Sequence, residues 1–122
     1  MYILRVKDKF SSAHFIERYP GKCSNLHGHN WWVEVVIVVN ELNDIGISID
    51  FGDAKKVLKS LTDYLDHKLL NELEEFKGIN PTAENISKFI FEKLKPEYEK
   101  LNGRLIKVIL WETENNRIEY ME

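Results

Sequence analysis

Two of the four histidines in the chain occur as His27-Gly28-His29. On a β-strand, residues two apart project from the same face, so both imidazoles converge on one point. Gly28 removes a side chain from the opposite face. A third imidazole is available from an earlier strand, where His14 lies in Ser11-Ser12-Ala13-His14-Phe15. Three neutral imidazoles with one coordination position left open make a catalytic zinc arrangement, whereas a structural zinc site draws four protein ligands, usually several of them thiolates. The chain has a single cysteine, which points to the first kind. Nitrogen-only ligation suits Zn²⁺ and also admits nickel, cobalt or iron. The competing account puts the His-x-His pair on a solvated strand and His14 elsewhere on the surface; the nearby Cys23 weighs against it.

Cys23 precedes the pair in Cys23-Ser24-Asn25-Leu26-His27, a polar stretch flanked by turns. A free cysteine commonly packs as a small hydrophobe. Beside a cationic site it is available as thiolate instead. It then acts either as a base on a metal-held substrate or as a fourth ligand that closes the site. Asp66-His67 follows a helical segment; the carboxylate can orient the imidazole for proton shuttling, although a histidine at a helix end is also explained by the helix dipole alone. Glu112 ends a strand that is otherwise apolar (Ile106, Val108, Leu110), and its carboxylate can turn into a site or simply be solvated. The spacing of Gly21, His27-Gly28-His29 and Glu34 imitates half of the cupin metal motif. Position 41 is Glu where that motif needs Gly, no second histidine motif follows, and two helical segments do not suit a jelly roll.

These residues need a scaffold. Val33 to Val39 reads as a strand with Trp31, Val33, Val35, Ile37 and Val39 on one face and Trp32, Glu34, Val36 and Val38 on the other. A strand apolar on both faces needs cover on both. Tyr2, Leu4, Val6 and Phe10 predict an earlier strand with looser alternation. Ala54, Val57, Leu58, Leu61 and Leu65 recur at helical spacing within about 50–65. Thr82 is the N-cap of a second helix with the stripe Ile86, Phe89, Ile90, Leu94, which Pro96 should end or kink near Leu94. Leu105 to Trp111 and Arg117 to Met121 predict a closing hairpin around Glu114-Asn115-Asn116. The order is ββααββ, an α+β domain with a four-stranded antiparallel sheet and both helices on one face. The bare sheet edges and the two-sided second strand favour a homo-oligomer.

Composition narrows the class. The chain's 122 residues have room for one domain, 1–122, and one core. A net charge of −3, from 17 basic and 20 acidic residues, gives no electrostatic reason to expect nucleic acid or an anionic membrane as partner. No apolar run approaches the roughly 18 residues a membrane helix needs. One cysteine forms no internal disulfide, which makes a reducing, cytoplasmic location the expectation.

The motifs Ser12-Ala13-His14-Phe15, Cys23-x-x-x-His27-Gly28-His29, Ile49-Asp50-Phe51, Leu65-Asp66-His67, Asn80-Pro81-Thr82-Ala83-Glu84-Asn85 and Trp111-Glu112-Thr113 occur in this order. Taken together, the sequence resembles the 6-pyruvoyl-tetrahydropterin synthase family. The three-residue gap between Cys23 and His27 looks like its 6-carboxy-5,6,7,8-tetrahydropterin synthase branch. The resemblance implies a tunnelling fold (T-fold) whose subunits close a barrel, commonly a homohexamer, with active sites between subunits. It implies Zn²⁺ on His14, His27 and His29, and Cys23 as proton acceptor supported by Asp66 and His67 of another subunit. It also implies that Glu112 anchors a pterin ring, with Thr82 and Glu84 near the pterin pocket. The implied reaction converts 7,8-dihydroneopterin triphosphate to 6-carboxytetrahydropterin with loss of triphosphate and acetaldehyde, on the 7-deazaguanine route to queuosine or archaeosine. Lys55, Lys56 and Arg18 are candidates for the triphosphate. A synthase that stops at the 6-pyruvoyl product, or a non-catalytic zinc- or pterin-binding protein of the same fold, fits these residues as well.

Overall fold

The computed structural model describes residues 1–122. Its organising element is β2, His27–Val39. Trp31, Val33, Val35, Ile37 and Val39 are all buried on one face of it, as expected of β-branched and aromatic side chains on a pleated, covered surface. Strand β1, Tyr2–His14, runs antiparallel to β2 in one unbroken ladder from Tyr2 opposite Val39 to His14 opposite His27. That register puts Leu4, Val6 and Phe10 on the same covered face. The looser alternation at position 8 has a specific cause: Thr62, buried beneath the sheet, donates its hydroxyl hydrogen bond to the Asp8 carboxylate at 2.6 Å. A buried hydroxyl needs such a partner.

Both helices lie on this face. Helix α1, Phe51–Leu65, starts where Asp50 accepts a hydrogen bond from the Gly52 N–H (2.7 Å) and buries Ala54, Leu58, Leu61 and Leu65. Helix α2, Ala83–Glu99, starts where the Thr82 hydroxyl accepts from the Asn85 N–H (3.1 Å) and buries Ile86, Ile90, Phe91, Leu94 and Tyr98. Each such cap stabilises its helix by about 1 kcal/mol. The Tyr98 hydroxyl donates to the Ala54 carbonyl at 2.9 Å and ties the two helices together. Burial raises the phenol's pKa well above the ordinary tyrosine value, so it stays a donor. Strand β4, Arg104–Trp111, pairs antiparallel with β2, and β5, Arg117–Tyr120, pairs antiparallel with β4.

Three features depart from the sequence expectations. The sheet is mixed and five-stranded: β3, Lys68–Leu69, pairs parallel with β1 at Ser12 and Ala13, giving the order β3-β1-β2-β4-β5. Two residues are too few to show any periodicity. The pairing is set by the turn after α1, where His67 takes a left-handed φ of 54° and donates its N–H to the Ser11 carbonyl at 2.6 Å. Second, α2 runs through Pro96 to Glu99. An interior proline costs about 3 kcal/mol; the fully buried Tyr98 two residues later anchors the last turn and offsets that cost. Third, a register shift in the β2–β4 ladder between Val36 and Ile37 puts Leu105 in the core and leaves Ile106 half-buried. The opposite sheet face carries no helix. There Trp32 is 40% exposed and the Lys7 ammonium sits 4.2 Å from the Trp111 ring centroid.

The loop between α2 and β4 contains a close approach that tests this packing. A Cβ on Gly103 would stand 2.6 Å from Ile37 Cγ2 and 2.7 Å from Ile49 Cδ1. Gly103→Ala should therefore lower stability by about 1–3 kcal/mol through overpacking. The effect should appear as a lower urea midpoint at unchanged m-value. An unchanged midpoint would contradict the contact.

Candidate metal centre and its adjoining cavity

The β1–β2 register decides the site. His14 and His27 face each other across the ladder, and His29 lies two residues further along β2 on the same side. Their ring centroids are 4.5 Å (His14–His27), 4.8 Å (His27–His29) and 5.3 Å (His14–His29) apart. Glu112, just past the end of β4, joins them: one ligand atom from each of His14, His27, His29 and Glu112 lies within 4.8 Å of the others. The buried Trp31 indole forms the floor, edge-on to His14 at 5.0 Å and to His29 at 5.1 Å.

Hydrogen bonds set the tautomers. His14 Nδ1 lies 2.7 Å from the Pro81 carbonyl and His27 Nδ1 lies 2.7 Å from the Asn25 carbonyl. A carbonyl only accepts, so each Nδ1 carries the proton and each Nε2 keeps its lone pair. The Nε2 atoms of His14 and His29 are buried and have no hydrogen-bond partner. His29 Nε2 does approach Glu112 Oε1 to 3.0 Å, but out of hydrogen-bonding alignment. Burying polar nitrogens without partners costs free energy. A divalent cation bound to these nitrogens removes that cost, and the donor set of three imidazoles suits zinc. The residues fit such an ion.

Burial is also the main cause that lowers the pKa of His14 and of His29 below the ordinary 6.5; the Pro81 carbonyl opposes it at His14 and the Glu112 carboxylate opposes it at His29. The fold thus favours the neutral, ligating form. Because the unfolded chain takes up these protons first, this contribution is complete above pH 6.5 and is lost as the pH falls below it.

A cavity of about 260 Å³ adjoins the histidines and is lined by His14, Tyr19, Cys23, Thr82, Glu84 and Glu112, among others. Cys23 sits half-buried in a short 3₁₀ turn, Lys22–Ser24, whose position is fixed by a 2.8 Å hydrogen bond from the Ile16 N–H to the Cys23 carbonyl. Thr82 and Glu84 arrive at the N-terminus of α2. Asp66 and His67 are not brought to this cavity. They lie at the β3 edge, where the Asp66 carboxylate accepts from the Ser11 N–H (2.7 Å) and from His67 Nδ1 (2.7 Å), and the imidazole is exposed. Those two bonds, the Ser11 one foremost, hold the Asp66 pKa below its ordinary value. Lys55 and Lys56 are on the solvated side of α1, while Arg18 lines a separate cavity of about 360 Å³ together with Lys77. The sequence reading missed the Pro81 and Asn25 carbonyls that fix the imidazoles; backbone acceptors leave no mark in residue types. It also missed Tyr19 at the cavity wall.

The architecture defines a class: an α+β protein whose sheet presents a three-histidine centre able to hold a metal ion, opening onto a cavity shared with a thiol and carboxylates. Residues 3–122 match the family model for 6-pyruvoyl tetrahydropterin synthase, and the chain belongs to that family of pterin synthases. It is 39% identical over 130 residues to a 6-pyruvoyl tetrahydrobiopterin synthase of Dictyostelium discoideum, with 97% of this chain and 94% of that one covered. It is 32% identical over 134 residues to a 6-carboxy-5,6,7,8-tetrahydropterin synthase of Aquifex aeolicus, covering 90% and 83%. The Caenorhabditis elegans 6-pyruvoyl tetrahydropterin synthase structure superposes with a TM-score of 0.86 at 31% identity, covering 99% of this chain and 95% of that one.

If the three histidines hold a divalent ion, zinc titration of the purified chain should show tight binding at pH 7.5 that persists to pH 6.5 and weakens further below, where protons compete for the imidazoles of lowered pKa. His27→Ala should abolish tight binding at either pH. Retention of the metal by that variant would remove His27 from the ligand set.

Proposed function

We propose that the chain is a 6-carboxy-5,6,7,8-tetrahydropterin synthase, converting 7,8-dihydroneopterin triphosphate to 6-carboxytetrahydropterin with release of triphosphate and acetaldehyde. The observation that carries this reading is Cys23, separated by three residues from the His27-Gly28-His29 pair and on the wall of the cavity that His14 also lines. The product is a precursor for 7-deazaguanine, and the single cysteine suits a cytoplasmic location.

His14, His27 and His29 would hold the metal. A zinc ion bound there would supply Lewis-acid polarisation of the substrate's side-chain hydroxyls. Cys23 accepts a proton from that side chain, and His67, oriented by Asp66, moves a proton on its other side. Glu112 has two carboxylate oxygens that suit the paired N–H edge of a pterin, a strong charge-assisted geometry. Thr82 and Glu84 flank the ring. The lone chain's Asp66–His67 pair lies away from its own cavity, which suits a site completed by a second subunit.

We assign the single domain, 1–122, to a T-fold barrel assembled as a homohexamer. Two features support an assembly: the helix-free sheet face with Trp32 exposed, and the exposed Tyr2 and Ile3 at the free edge of β1. No helix is long and apolar enough to cross a membrane.

The second reading is a synthase that eliminates triphosphate and retains the carbon side chain as 6-pyruvoyltetrahydropterin. The Dictyostelium relative at 39% identity favours it. Incubation of the zinc-loaded protein with dihydroneopterin triphosphate separates the two. Acetaldehyde in step with triphosphate supports the carboxy product; triphosphate without acetaldehyde supports the pyruvoyl product; neither product marks a non-catalytic binding protein. Cys23→Ala should keep its zinc and lose about 10²–10⁴-fold in turnover. Loss of zinc in that variant would make Cys23 a ligand instead of a base.

A further inference from the structure

The sequence motif Asn80-Pro81-Thr82-Ala83-Glu84-Asn85 is only partly used by this chemistry, and the hydrogen bonds around it are unusually complete. The Asn80 carboxamide makes two bonds with the backbone of one residue: it accepts from the Glu17 N–H at 2.9 Å and donates to the Glu17 carbonyl at 3.0 Å. The Asn80 backbone carbonyl accepts twice more, from the Thr82 N–H at 2.9 Å and from the Asn85 carboxamide at 2.9 Å. A bond from Thr82 back to Asn80 closes a three-residue turn centred on Pro81, a conformation whose φ near −75° the proline ring already holds. The buried Pro81 carbonyl then emerges from that turn onto His14 Nδ1 at 2.7 Å.

The same clamp reaches the thiol. Beyond His14 the chain leaves β1 and reaches a turn at Glu17 and Arg18, and the hydrogen-bond partners of residues 15–17 alternate. Phe15 exchanges a bond pair with the Asn71 carboxamide (3.0 and 2.9 Å), and Glu17 does so with Asn80. Between them the Ile16 N–H points the other way, to the Cys23 carbonyl at 2.8 Å. Two carboxamides thus stand in for a missing neighbouring strand, and residues 15–17 link the histidine cluster to the cysteine turn.

We infer that Asn80 is a positioning residue: its carboxamide grips the Glu17 backbone and so anchors the turn at Pro81, which directs the Pro81 carbonyl onto His14 and fixes the ring as the Nδ1–H tautomer with Nε2 free. The metal-holding role of His14 comes from the function proposed above; the choice of tautomer does not depend on which reaction follows. A group that hydrogen-bonds a metal-ligating histidine, the place the Pro81 carbonyl takes here, typically changes affinity by about 10–100-fold when removed; Asn80 acts through that carbonyl, so this range is its upper bound.

The test uses the full chain. Isotope-edited NMR of the imidazole nitrogens should show His14 of the metal-free protein in the Nδ1–H form. Asn80→Ala should give His14 an averaged tautomer signal and weaken zinc binding by at least several-fold and at most about 100-fold, while circular dichroism stays native. A variant that is less stable yet binds zinc as tightly, with His14 unchanged, would reduce Asn80 to a structural residue and overturn the inference. If Asn80→Ala does not fold, the wild-type spectrum still decides: an Nε2–H tautomer at His14 overturns the clamp. A wild-type chain that shows the Nδ1–H tautomer but takes up no divalent ion would defeat the metal reading and leave the clamp standing.

Discussion

The site depends on one register: the antiparallel pairing that sets His14 of β1 opposite His27 of β2. Side chains on a strand alternate between faces, so a slip of one residue would send His14 to the opposite face from His27 and His29. The register is held far from the histidines. Leu4, Val6 and Phe10 must meet the covered face that Val33, Val35 and Ile37 define, and Asp8 must meet Thr62. The hydrophobic core under the two helices therefore works as a vernier for the three-histidine cluster. The energy that fixes the imidazoles is mostly apolar burial several residues away, and only the last adjustment is made by the carbonyls of Pro81 and Asn25.

That division of labour explains the electrostatics. The imidazoles sit where the strand ladder ends and the α2 N-terminus arrives, against the closed indole wall of Trp31. Burial keeps His14 and His29 neutral, while two nitrogens are left without partners. A fold does not normally retain such atoms, because each one costs stability with no return inside the apoprotein. Their occurrence in one cluster, with Glu112 beside them, is what marks the place as a candidate ligand site.

The residue types and periods of the sequence reveal much of the frame. Alternation exposes β2, helical spacing exposes α1 and the start of α2, and the His-x-His pair follows from strand geometry alone. What stays hidden does so for definite reasons. Strand β3 is two residues long, below any period, and exists because His67 adopts a left-handed turn against Ser11. Pro96 reads as a stop, yet the buried Tyr98 carries the helix past it. The register shift at Ile106 inverts the parity on which the β4 reading relied. The approach of Glu112 to His29 and the acceptors of the ring protons are tertiary and backbone facts, which no residue spacing encodes.

The unbroken ladder between β1 and β2 also determines where the chain can change in length. An added or deleted residue inside Tyr2–His14 would shift one half of that strand against its partner, and the histidines would part. Residues 40–46, by contrast, leave β2 at the end opposite the cluster and are exposed. Extensions there are absorbed by solvent, so this loop is the natural place for natural variation in length, or for an inserted tag, to leave the cluster undisturbed.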